Sequence, residues 1–84
     1  MDSRIGAVSI LVEDPASVEE LNSLLHGYAA YILGRMGIPY REKRVSIICL
    51  CLDAPVDVIN ALTGKIGRLK GVSAKAVYSR GQNN

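Results

Sequence analysis

Val45-Ser46-Ile47-Ile48-Cys49-Leu50-Cys51-Leu52 is the most apolar run in the chain, and its reading decides the fold. It is far shorter than the eighteen or so residues a membrane helix needs, and it suits a strand. Alternate residues of a strand face opposite ways. One face here carries Val45, Ile47, Cys49 and Cys51; the other carries Ser46, Ile48, Leu50 and Leu52. Neither face is polar, so the segment reads as a central strand with apolar surroundings on both sides.

Downstream of this run, Asp53-Ala54-Pro55 starts a helix, with proline near the first helical position. Ile59, Leu62, Ile66 and Leu69 form its buried stripe, and Lys65, Arg68 and Lys70 suit its negative C-terminal end. Gly71 stops it, Val72 to Tyr78 is a last strand, and residues 80–84 are a polar tail. Upstream, the charged turn Glu42-Lys43-Arg44 follows Gly37–Arg41, a short edge strand because Pro39 cannot donate to a central ladder. Before that, Val18, Leu21, Leu25, Tyr28 and Ile32 recur at helical spacing, predicting a helix from Ala16 to Leu33. Asp14-Pro15 opens this helix, and Gly34 and Gly37 bracket its exit. The first strand, Arg4 to Glu13, shows Val8, Ile10 and Val12 on one face and Ile5, Ala7, Ser9 and Leu11 on the other.

The order is strand, helix, strand, strand, helix, strand. A weak internal repeat supports it: Val18 to Leu24 echoes Val56 to Leu62, and Gly37-Ile38 echoes Gly71-Val72. The expected fold is therefore an α+β, ferredoxin-like βαββαβ sandwich, a four-stranded antiparallel sheet with two helices on one face. At 84 residues the chain makes one domain, with an ordered core of about 4–79 and the tail 80–84.

That plan leaves one sheet face open, and both the first strand and 45–52 carry apolar side chains toward it. With 49% hydrophobic residues in so small a chain, the excess needs cover. The expected cover is a second copy, giving a homo-oligomer, dimer or tetramer, through the open sheet face. The charge is near balance at +2, with no Phe or Trp for base stacking, so no direct nucleic-acid contact is expected. No apolar run is long enough for a membrane, and Met1 to Arg4 resembles no secretory leader. Two cysteines without disulfide geometry fit a cytoplasmic location.

Few residues invite chemistry. His26, the one histidine, lies on a flank of the first helix and is a ligand-binding candidate. Arg35, Tyr40 and Arg41 cluster near the expected helix exit, where guanidinium groups can hold a carboxylate or phosphate. Cys49 and Cys51, with His26, offer the alternative of a metal-handling site, but their spacing and strand setting favour buried thiols. Thr63-Gly64-Lys65-Ile66-Gly67 lacks the strand-loop-helix context of a phosphate loop; glycines inside a helix point instead to close packing. No nucleophile or acid–base pair stands out, so neither catalysis nor a cofactor is expected, and a structural adaptor is a further alternative.

Leu24-Leu25-His26, Arg35-x-Gly37-x-Pro39-x-Arg41-Glu42, Ile47 to Leu50 and Asp57-x-Ile59-x-Ala61-Leu62-Thr63-Gly64-Lys65-Ile66-Gly67, followed by Gly71-Val72, resemble the family of small iron-only hydrogenase system regulators. The likeness runs from roughly Ile5 to Val77. It implies an ACT-like fold, similar to the C-terminal sensing domain of nickel-responsive repressors, which oligomerises through its sheet and binds small effectors between subunits. The resemblance thus implies a regulatory, effector-sensing role. The ribbon-helix-helix segment and the several histidines of the nickel repressors have no counterpart here, so DNA binding and nickel sensing are not expected.

Overall fold

A computed structural model describes residues 2–80. Its strands are β1 (Ser3–Val12), β2 (Ile32–Tyr40), β3 (Val45–Pro55) and β4 (Val72–Tyr78), and its helices are α1 (Val18–Gly27) and α2 (Val56–Gly67). The strands form one antiparallel sheet in the order β2-β3-β1-β4. This is the ferredoxin-like arrangement of four strands and two helices that the apolar pattern demands.

The core forms where both helices meet one sheet face. Val8, Ile10 and Val12 of β1 and Ile48, Leu50, Leu52 and Ala54 of β3 pack against Leu21 and Leu25 of α1 and Ile59, Leu62 and Ile66 of α2. Burying one such large aliphatic side chain contributes roughly 1.5–3 kcal/mol, so this shared layer dominates the stability of the domain. The register sets Val8 opposite Leu50 and Ile10 opposite Ile48, so the buried faces of the two central strands coincide. The alternation read for both strands is met residue by residue.

Several boundaries differ from the sequence reading; α1 begins at Val18 after a 3-10 turn at Pro15–Ser17, and α2 ends at Gly67, ahead of the stop read at Gly71. The first helix ends at Gly27, not Leu33; a single 3-10 turn at Ala29–Tyr31 follows, and β2 starts at Ile32. The stripe misleads because Tyr28 and Ile32, although past the helix, still pack against the core and so continue its spacing. Gly34 and Gly37 consequently lie inside β2, and the edge strand is nine residues long instead of a stub at Gly37–Arg41. Pro39 is tolerated because β2 is at the edge of the sheet. Finally, β3 runs on to Pro55, so Asp53 belongs to the strand; Asp57, in the first turn of α2, accepts a hydrogen bond from the Val58 amide at 3.0 Å. Met1 and residues 81–84, most of the expected polar tail, lie outside the described residues.

Candidate functional site

The face of the sheet away from the helices is mainly apolar. Matching partners across the ladder puts Ile5, Ala7, Ser9 and Leu11 of β1 on one surface with Val45, Ile47, Cys49 and Cys51 of β3. Met36, Ile38 and Tyr40 of β2 and Val77 of β4 extend it, each directly opposite one of those residues, while Asp53 of β3 and Ser73 and Lys75 of β4 are the polar members of the same face. Met36 is 61% exposed and Val77 71%, values that belong to surface lysines more than to large apolar groups. The thiols share this surface: Cys49 is half-buried and Cys51 exposed, which corrects their reading as buried groups. The physical reason is strand parity. They lie on the face that, among the described residues, nothing covers.

β2 is exposed on both faces, with eight of its nine residues open to solvent. Neither helix reaches across it. The ladder with β3 shifts between Ile32 and Gly34, and Leu33, which has no partner opposite, stands out of the register.

Two hollows border β2. The first, about 400 Å³, lies between the end of α1 and the helix side of the strand, and is lined by Asn22, Leu25, His26, Ala29, Ile32 and Arg35. There an Arg35 Nη2 donates to Asn22 Oδ1 at 3.3 Å. The second, about 290 Å³, lies at the far end of the strand. Val12, Pro15, Val18, Pro39 and Val45 make its walls, and Tyr40, Arg41 and Arg44 are its polar members together with Ser46. The Tyr40 hydroxyl donates to Glu42 Oε1 at 2.8 Å.

Of the four residues singled out from sequence, His26 and Arg35 share the first hollow while Tyr40 and Arg41 share the second. Arg35 and Tyr40 are five residues apart on an extended strand, hence about 17 Å distant and on opposite faces. They do not form one cluster. Sequence reading missed Arg44, which was read only as part of a charged turn, and missed the contribution of Val12, Pro15 and Val18. A positive φ at that turn, on a residue other than glycine, was not visible from composition: Arg44 sits at φ 55, ψ 42.

The second hollow has a braced wall. Ser17, buried beside Pro15, donates through its hydroxyl to the Lys70 carbonyl at 2.6 Å, and the Glu13 amide donates to the Gly71 carbonyl at 2.7 Å. Asp14 caps the turn Pro15–Ser17 by accepting from the Ala16 amide at 3.0 Å. The loop before α1 is thereby tied to the loop after α2.

The metal-handling alternative needs His26 beside the thiols. The fold puts His26 on α1, over the helix side, and Cys49 and Cys51 on the opposite face of the sheet. Among the described residues no three of His, Cys, Asp or Glu come together in a group fit for a metal. The glycines of α2 also have a different setting from the close packing expected of them: a Cβ added at Gly64 or Gly67 would meet nothing within 4 Å. Among the described residues no helix is long and apolar enough to cross a membrane.

A TM1266-like family model, described as "Iron-only hydrogenase system regulator, putative", matches residues 4–76. Among solved structures, the chain is similar to the uncharacterized protein TM1266 from Thermotoga maritima. The two share 36% identity at a TM-score of 0.89, over 94% of this chain and 100% of that one. No curated protein matches the chain.

Proposed function

The chain belongs to the TM1266-like family of iron-only hydrogenase system regulators, and from that premise we propose a non-catalytic, effector-binding, homo-oligomeric regulatory domain. The observation that carries this reading is the uncovered apolar sheet face, flanked by an edge strand open on both sides. Soluble chains rarely leave so many large apolar groups in contiguous contact with water, and a bare strand edge invites pairing. A second copy docked face to face, in the ACT-like manner, buries Met36, Ile38, Ile47 and Leu11 of each chain around a two-fold axis. Dimer and tetramer both satisfy this.

The effector sites of the proposal are the two hollows beside β2. His26 with Arg35, and Tyr40 with Arg41, give each a cationic or hydrogen-bonding group against apolar walls, a composition suited to holding a small anion. Free thiols support a reducing, cytoplasmic setting, and the small net charge supports a role without direct nucleic-acid or membrane contact. A ligand bound to the assembled form stabilises the assembly by mass action, which is how a domain without catalysis reports a concentration.

Native mass spectrometry of gently purified protein tests the reading. The expected result is an oligomer, carrying extra mass whose loss accompanies weakened assembly, with that mass reduced in Arg35→Ala or Arg41→Ala. A bare monomer at all concentrations would sink it, because nothing would then cover the sheet face.

A further inference from the structure

The hollow at the β2–β3 turn carries more chemical information than its partner. Its walls are aliphatic, from Val12, Pro15, Val18 and Val45, and its charged members are two guanidinium groups, Arg41 and Arg44. No acidic residue lines it. The nearest carboxylate in sequence, Glu42, already accepts the Tyr40 hydroxyl. Among the described residues, neither Arg41 nor Arg44 makes a side-chain hydrogen bond or an ion pair.

Arg44 also occupies a backbone conformation that glycine or asparagine adopts with less strain, at φ 55 in the left-handed region. A turn of this kind needs no arginine, so backbone geometry does not account for the residue present. Its place in the lining of the hollow does. Held strain of this sort is found where a side chain has work to perform.

We propose that this hollow takes a small carboxylate with an apolar body and no ammonium group, held by Arg44 and Arg41. The proposal rests on the effector-binding reading above and names the ligand class for one of its two hollows. The guanidinium fork matches a carboxylate with two parallel hydrogen bonds, while the aliphatic walls take the rest of the molecule out of water. A phosphate or sulfate leaves those walls unfilled. An amino acid brings an ammonium group that finds no acceptor among the lining side chains apart from the Tyr40 and Ser46 hydroxyls, and that faces two like charges.

The discriminating experiment is a titration of isotope-labelled protein with three probes of one skeleton: 4-methylpentanoate, 4-methylpentan-1-ol and leucine. Amide signals are followed by NMR. The acid is expected to give saturable shifts confined to residues 12–18 and 39–46, with the alcohol and leucine each at least about tenfold weaker, the alcohol because it lacks the charged hydrogen bonds and leucine because its ammonium group is desolvated beside two like charges. Arg44→Asn, a residue that accepts the same backbone conformation, is expected to keep the spectrum of the fold and abolish the preference for acid over alcohol. Equal binding of the alcohol or of leucine, shifts centred on the open sheet face, or no saturable shift in well-folded protein would each overturn the proposal. An oligomer that retains extra mass yet ignores 4-methylpentanoate sinks this ligand class and leaves the regulatory reading standing; a monomer that binds the acid does the reverse.

Discussion

Gly71 shows how one residue fixes the wall of a hollow more than fifty positions away in sequence. It sits at φ +68, where an L side chain is strained, and a Cβ built there would lie 2.6 Å from the Cβ of Asp14. Its carbonyl accepts the Glu13 amide, while Lys70 beside it accepts the Ser17 hydroxyl. A glycine after a helix was legible from sequence as a stop; that the same glycine must let Asp14 pass was not, because the contact joins two loops with no shared pattern. Gly71→Ala is expected to cost about 2–3 kcal/mol, from the left-handed backbone together with the forced displacement of Asp14. Urea unfolding measures it directly. A loss below about 0.5 kcal/mol would mean that the two loops part easily and that the wall carrying Pro15 is not braced. The neighbouring ion pair, Lys70 to Asp14 at 3.9 Å, carries little of this, since the lysine is almost wholly in water.

At the scale of elements, β1, β3 and α2 were readable because each buries one continuous stripe, and burial is what the spacing of apolar residues records. α1 and β2 were not separable, because the core stripe passes from helix to turn to strand through Leu25, Tyr28 and Ile32 without a break in spacing. That error had a consequence for the site. With residues 28–33 taken as helix, Arg35 and Tyr40 appear as neighbours on one exit loop; with β2 starting at Ile32, strand parity sends them to opposite faces and to two hollows. The glycines of α2 raise the complementary question, since each weakens a helix yet, among the described residues, a Cβ added at Gly64 or Gly67 would meet nothing beyond the helix itself. If the outward face of α2 stays free, Gly64→Ala should stabilise the domain by about 0.5–1 kcal/mol, raising Tm by roughly 3–6 °C in a chain of this size. A Tm that falls, with assembly weakened, would show instead that a second chain packs against α2 and that the sheet face is not the sole interface.

For the whole molecule, the apolar excess seen in composition has a definite address. Ile5, Leu11, Met36, Ile38, Ile47 and Val77 lie together on the surface that the helices leave bare, and Cys49 and Cys51 lie among them on the central strand β3. This placement turns the thiols into reporters of assembly. An isolated chain presents Cys51 to water, where an alkylating reagent can reach its sulfur. Docking of a second copy face to face removes that access, so the rate should depend on protein concentration. Alkylation by iodoacetamide is expected to be slow when the protein is concentrated and to speed up at least about tenfold on dilution through the dissociation range, following the fraction of free chain. Ile47→Glu, which plants a charge on the same face opposite Leu11, should abolish the protection and leave the core intact, because Ile47 lies on the open side of the sheet. Urea stability of that variant, compared with dilute wild type, separates lost assembly from lost folding. Uniformly fast alkylation at every concentration would mean that the face stays bare, and the reading of the sheet as a self-association surface would have to be given up.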